Sequence, residues 1–211
     1  MTIAGLVDKG AAIVDVGADH AYLTIHLVKS GAVCSAVATD VRAGPLSRAD
    51  EHVRRYGVAE QVTLVRCDGL SAVDPNSVDT VIIAGMGGET IAEILRAAGW
   101  QKRPAHTYLL QPMTAAAELR TFLTQNGFTI VRECLCAEGR RFYNILKAVP
   151  GQSPPLTISE THAGVGLTDE ALFPAYIDLM INAERRRLDC LEAAGRDAPR
   201  TLLDGLTEMK K

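Results

Sequence analysis

Hydrophobic positions along the chain switch repeatedly between a strand period and a helix period. Ala11 to Val16 is a short apolar run closed by a turn, and Tyr22 to Ser30 follows with helical spacing through Leu23 and Leu27 before Gly31. Cys34 to Thr39 is a second apolar run, ending at Asp40, and Pro45 to Tyr56 reads as a helix closed by Gly57. Val62 to Arg66 is β-branched and apolar, and Val78 to Ala84 is the clearest buried strand. Glu89 to Ala97 has helical spacing and stops at Gly99. Thr107 to Leu110 reads as a strand, and Thr114 to Gln125 as a helix closed by Asn126 and Gly127. Phe128 to Glu138 and Phe142 to Val149 predict a hairpin turning at Gly139 and Arg140.

Strand–helix repeats that end in a hairpin predict an α/β fold. The expected architecture is a Rossmann-like, mostly parallel seven-stranded sheet with helices on both faces. Ligands on such sheets bind beyond the carboxyl ends of the strands. The composition then shifts at Pro150-Gly151-Gln152-Ser153-Pro154-Pro155. This predicts a first domain over residues 1–150 and a helical one over 151–211. In the latter, Asp169 to Ala194 carries Leu172, Tyr176, Leu179, Met180, Leu188 and Leu191 at helical spacing. Gly195 to Pro199 breaks it, and Arg200 to Lys211 completes an antiparallel α-helical hairpin.

Apolar residues make up 47% of the 211, enough for a packed core. No apolar run approaches the ~18 residues of a membrane span. The first residues lack the basic region and apolar stretch of a signal peptide, so the expectation is a cytoplasmic protein. The odd cysteine count (five, scattered) argues against a disulfide framework. Cys134 and Cys136 alternate along a strand as apolar fillers, without the second ligand pair that a metal site needs. The net charge of −3 decides nothing about nucleic acid, which depends on local patches.

Five segments at the carboxyl ends of successive strands carry candidate chemistry. Asp15-Val16-Gly17-Ala18-Asp19-His20 joins strand to helix, with Gly17 permitting an unusual turn. A dinucleotide turn would place a second glycine where Asp19 stands. A carboxylate opposes a pyrophosphate but suits the sulfonium and ammonium of S-adenosylmethionine. Asp40, followed by Val41, ends the second strand where an acidic residue can accept both ribose hydroxyls, or cap the next helix. Asp68 and Gly69 offer an acceptor for an adenine amine beside space for its ring, or a plain Asp-Gly turn. Gly85, Met86, Gly87 and Gly88 permit close backbone approach to a ligand and lack the Lys and Ser/Thr of a triphosphate loop. Gln111 and Pro112 place an amide at the cleft mouth.

Three stretches together, Asp15 to Leu23, Ala84 to Gly88 and Leu109 to Pro112, resemble the bacterial tRNA (adenine-22-N1)-methyltransferases over essentially the whole chain. The resemblance implies a class I methyltransferase domain, a coiled-coil-like helical hairpin, S-adenosylmethionine as cofactor and tRNA as partner. Met113 stands where family members usually have Asn, and the usual leading helix is expected to be trimmed. The expected cofactor-binding residues are Asp15, Gly17, Asp19, Asp40, Val41, Asp68, Gly69, Gly85, Met86 and Gly87. The expected catalytic residues are Asp19, His20, Tyr22 and Gln111, with Tyr22 stacking on the target base and His20 at its edge. No metal and no membrane partner are expected, and the chain is expected to be a monomer or weak dimer.

N1 of neutral adenine needs no prior deprotonation, so positioning should outweigh a strong base. Reaching it in a stem requires flipping the base out. Arg140, Arg141, Lys102, Arg103 and the run Arg185-Arg186-Arg187 are the candidate phosphate contacts, a solvated helix face being the other reading of the last. Rival readings are methyl transfer to another substrate, a catalytically impaired RNA-binding homologue, and a nicotinamide dehydrogenase, which Asp19 disfavours.

Overall fold

The computed structural model describes residues 3–100 and 106–211. A 3₁₀ turn, Ile3–Leu6, precedes seven strands and seven α-helices among these residues. The sheet strands are β1 (Ala11–Val16), β2 (Val33–Asp40), β3 (Val62–Arg66), β4 (Thr80–Gly87), β5 (Thr107–Thr114), β6 (Phe128–Glu138) and β7 (Arg141–Pro150). Between them lie α1 (Tyr22–Lys29), α2 (Ala43–Arg55), α3 (Gly88–Ala98) and α4 (Ala116–Gln125). After the sheet come α5 (Ile158–Ala163), α6 (Phe173–Ala193) and α7 (Thr201–Met209).

The strand order is β3-β2-β1-β4-β5-β7-β6, with β7 antiparallel to both neighbours. Side-chain alternation splits the central strands between two apolar layers. Ile13, Ile82, Leu109 and Ile145 face α1 and α2, packing with Ile25, Leu27, Ala49 and Val53. Val14, Val81, Ile83, Tyr108 and Leu110 face α3 and α4, packing with Ile91, Leu95, Leu119 and Leu123. Burial on both faces explains the unbroken apolar run in β4. Cys134 and Cys136 do share one face as small apolar residues of the first layer.

Element boundaries differ from the sequence reading, with β4 running on to Gly87 instead of ending at Ala84. Strand β5 continues through Gln111 and Pro112 to Thr114, because Pro112 and Thr114 still pair with Met86 and Gly87. Helix α5 was not anticipated, although Thr157 and Glu160 form a complete capping box at its start. The helical segment therefore has α5 beside the expected pair. Arg200 reaches Glu192 and Lys210 reaches Asp178, so α7 runs back along α6.

These helices share a small core with Leu135 and Phe142 of the β6–β7 hairpin. A buried ion pair fastens them further. Arg120 of α4 donates from Nε and Nη2 to the two carboxylate oxygens of Glu133, each at 2.9 Å, and both side chains are fully buried. Its Nη1 donates to the carbonyls of Thr161 and His162 at the end of α5. Glu133 also accepts the Val165 amide at 3.1 Å. Burial opposes the charge on Arg120, but the attraction and hydrogen bonds of Glu133 hold its pKa above the ordinary value. Gly164 leaves no room for a side chain, since a Cβ there would meet Glu133 Oε2 at 2.8 Å.

Removing one member leaves the other charge buried without its partner. Arg120→Met is expected to cost about 3–5 kcal/mol in urea unfolding, and Arg120→Met with Glu133→Leu to recover most of that. An unchanged midpoint for the single variant would contradict the clamp.

Candidate active site

A cleft of about 520 Å³ opens at the carboxyl ends of β1, β2 and β4, within the size range of ligand pockets. It lies where the strand order reverses between β1 and β4. Gly17, Asp19, Asp40, Val41, Asp68, Gly69, Gly85 and Met86 all line it, so one cavity brings together eight of the expected cofactor residues. Asp15 and Gly87 are not among its lining.

The turn after β1 is left-handed at Gly17 (φ 68°), Asp19 (φ 50°) and Ala21 (φ 57°). Such a conformation costs a non-glycine residue of order 1–3 kcal/mol, so the surroundings must impose it. Three contacts do so. The Ala18 amide donates to the Thr39 carbonyl of β2 at 2.9 Å. Ala21 is completely buried at the start of α1. Asp15 accepts from Thr24 Oγ1 at 2.6 Å. Asp15 also takes the Thr24 backbone amide, and burial still pushes its carboxyl up to about 6 against both bonds. It anchors the turn through Thr24 and is not among the residues that line the cleft.

Asp40 is buried and accepts the Arg42 amide on Oδ1 at 2.8 Å, leaving its other oxygen for a ligand. Thr39 Oγ1 donates to the Gly69 carbonyl at 3.1 Å, which ties β2 to the loop bearing Asp68. Arg42 spans the rim, with its guanidinium 3.5 Å from Asp40 and 3.9 Å from Asp19. Three carboxylates against one arginine leave the cleft acidic, which suits a cation and repels a pyrophosphate.

The glycines at the end of β4 and the start of α3 divide their work. Gly85 is left-handed (φ 77°) with open space where a Cβ would be. Gly88 serves packing instead, because a Cβ there would lie 2.1 Å from the Ala115 carbonyl oxygen. Gly87 belongs with it, its Cβ position facing Thr114 Oγ1 at 3.3 Å. Met86 reaches back over Gly17, whose Cβ position lies 2.2 Å from the Met86 methyl.

Of the four expected catalytic residues, Asp19 lines the cleft, while Tyr22 and Gln111 line a separate cavity. His20 Nε2 lies 3.5 Å from Asp19, and its ring is 5.8 Å from that of Tyr22. Gln111 Oε1 accepts the Gly85 amide at 3.0 Å, which joins the β5 amide to the cleft wall. Its Nε2 donates to the Pro112 carbonyl and the Met113 sulfur. Sequence reasoning missed Arg42, Thr90 and Ile94 in the cleft, and His52, whose ring stacks on Tyr22 at 4.9 Å. Arg42 was readable as the cation two residues after Asp40. His52 sits within α2, where nothing local marks it.

Arg140 and Arg141 are exposed at the hairpin tip, as are Arg185 and Arg186 on α6. Arg187 is paired with Glu184. Lys102 and Arg103 lie outside the described residues. Among those described, no group of His, Cys, Asp and Glu could hold a metal, and no helix is long and apolar enough to cross a membrane.

The profile of a family described as "Methyltransferase domain" matches residues 1–146. The tRNA (adenine(22)-N(1))-methyltransferase of Bacillus subtilis is 31% identical over 150 residues, 71% of this chain and 63% of that protein. The match thus spans less than two thirds of that relative's length. A Streptococcus pneumoniae putative tRNA (m1A22) methyltransferase, solved with S-adenosyl-L-methionine, is 32% identical with a TM-score of 0.84, covering 99% of this chain and 96% of that one. A Streptococcus agalactiae protein of the NADB-Rossmann superfamily is 30% identical with a TM-score of 0.88, covering 99% of this chain and 94% of that one.

Asp15 yields a pH prediction independent of any ligand. Its pKa rises from 3.8 unfolded to about 6 folded, so between those values the folded state keeps a proton that the unfolded state has lost. Stability therefore falls as pH rises through that window and levels off above it. Asp15→Asn is expected to remove this fall, gaining up to about 3 kcal/mol on wild type across the window. Urea unfolding at stepped pH measures it, and parallel profiles for the two proteins would refute it.

Proposed function

This chain belongs to the tRNA (adenine-22-N1)-methyltransferase family, and we propose that it transfers the methyl group of S-adenosylmethionine to N1 of the adenine at position 22 of tRNA. The observation that carries this reading is the acidic cleft at the β1–β4 switch, where Asp19, Asp40 and Asp68 surround the left-handed Gly17 and Gly85.

That donor set fits the cofactor. The free oxygen of Asp40 accepts from ribose hydroxyls. Asp68 accepts from the adenine amine, and Asp19 sits at the turn as counter-charge to the ammonium. Bound S-adenosylmethionine supplies an electrophilic methyl on a cationic sulfur. Gly17, Gly85 and Met86 line the space around it.

The chain's part in the transfer is positioning, which can supply ~7–11 kcal/mol. N1 of adenine carries an in-plane lone pair, so no residue must first remove a proton. Gln111, oriented by the Gly85 amide, fixes the seam between cofactor and base. Tyr22 and His20 meet the base, and Asp19 lies close enough to His20 to bias its ring orientation. Arg140, Arg141, Arg185 and Arg186 are exposed cations for the RNA backbone.

Primer extension on tRNA incubated with the protein and S-adenosylmethionine tests the reading. A stop caused by position 22 that depends on the cofactor is expected, since N1 methylation blocks base pairing; its absence would sink the proposal. Asp40→Ala is expected to weaken cofactor binding by about tenfold or more in calorimetry, as losing a hydrogen bond from a charged group does. Arg185→Glu with Arg186→Glu is expected to weaken tRNA binding while cofactor affinity stays as it was. Unchanged tRNA affinity would remove α6 from the RNA surface.

A further inference from the structure

Arg42 is the one cation among the described residues that line the cofactor cleft. Its two side-chain contacts there are long. Nε lies 3.5 Å from Asp40 Oδ1 and Nη2 lies 3.9 Å from Asp19 Oδ1. Both distances exceed those of a good hydrogen bond, so attraction between charges is what holds the guanidinium in place. The side chain is 68% exposed, so water screens that attraction and little is lost in giving it up. The backbone of Arg42 is the fixed part, because its amide donates to Asp40 at 2.8 Å wherever the side chain goes.

The two carboxylates differ in what a ligand must do to reach them. Asp40 gives Oδ1 to the Arg42 amide and keeps its other oxygen open, so a ribose can bind there with the guanidinium still in place. Asp19 turns Oδ2 toward His20 Nε2 at 3.5 Å, which leaves Oδ1 as the oxygen that a cation in the cleft can approach. Arg42 already stands against that oxygen. An ammonium brought to Asp19 therefore meets a like charge, and one of the two must leave. Arg42 is free to do so, since its side chain lies at the rim and opens directly into water.

We propose that Arg42 is a displaceable counter-ion, paired with Asp19 in the empty cleft and driven off by the ammonium of the cofactor. The inference rests on the methyltransferase reading above. It makes Arg42 a specificity-determining residue that acts on one end of the cofactor only. Ligands that carry the amino-acid end must displace it, and a nucleoside without that end need not. S-adenosylhomocysteine keeps the ammonium after the methyl has gone. The same competition thus limits how tightly the spent cofactor is retained, and with it the inhibition of the enzyme by its own product.

Calorimetry at low salt tests this with three ligands: S-adenosylmethionine, S-adenosylhomocysteine and 5′-methylthioadenosine, which has the nucleoside but no amino-acid end. Arg42→Gln is expected to bind the first two about two- to fivefold more tightly than wild type, the range that one exposed ion pair supplies. It is expected to bind 5′-methylthioadenosine as wild type does. The gain is expected to vanish near 1 M salt, where charges are screened within about 3 Å. Arg42→Lys, which keeps the charge, is expected to stay near wild type. S-adenosylmethionine that binds Arg42→Gln no more tightly than wild type would overturn the proposal, and weaker binding would give Arg42 to the carboxylate of the cofactor instead. An equal gain for 5′-methylthioadenosine would overturn it as well. Each of these results leaves the methyltransferase reading standing, whereas S-adenosylmethionine that binds neither protein sinks both.

Discussion

A carboxylate buried at the end of β1 sets the geometry from which the site follows. Helix α1 begins at Ala21 with no side-chain cap of its own. Asp15 fills that role from the neighbouring strand by accepting the Thr24 amide and hydroxyl. A negative charge beneath a helix N-terminus is favourable, which offsets part of the cost of burying it. Because Asp15 ties the strand to the first turn of the helix, the intervening residues must close a short path. They do so by adopting left-handed conformations at Gly17, Asp19 and Ala21. That path aims Asp19 into the cleft and Tyr22 away from it, so one buried bond separates the two cavities.

The remaining walls are held by the ends of other strands. Thr39 fixes Gly69, Gln111 fixes Gly85, and the Arg42 amide fixes Asp40. The first two are hydrogen bonds between elements far apart in sequence, formed where parallel strands end side by side, and the third is a local turn at the end of β2. The cleft's acidity follows from the same arrangement, because the carboxylates stand at the ends of adjacent strands or in the loops just beyond them. Arg42 bridges two of them at the rim, and its high exposure leaves it free to yield to a cation.

Much of this was legible in the sequence. Strands with unbroken apolar runs and a ligand turn after each are local patterns, and the order of the chain carries them directly. What was not legible depends on partners across space. The bond from Thr24 to Asp15, which ties β1 to α1, shows only in the fold. Gly88 looks like part of a ligand loop until the Ala115 carbonyl is found against it. His52 is one polar residue on an amphipathic helix, and only the packing of α2 against the turn gives it a function. Helix α5 was a different case, since its capping box was written in Thr157 and Glu160 but lay beside the proline-rich stretch that reads as a linker.

The Arg120–Glu133 clamp bears on how the chain can be divided. Its arginine belongs to α4, its glutamate to β6, and the carbonyls and amide that complete it to residues 161–165. The sheet half of the molecule thus carries charges whose last hydrogen-bonding partners are supplied by the helical half. A sheet severed after β7 would keep the ion pair but open it to water on the side that α5 now covers. The helices cannot be transplanted onto another methyltransferase sheet unless that sheet brings its own arginine and glutamate. The appendage therefore depends on this particular sheet for the hydrogen bonds that close its first turn.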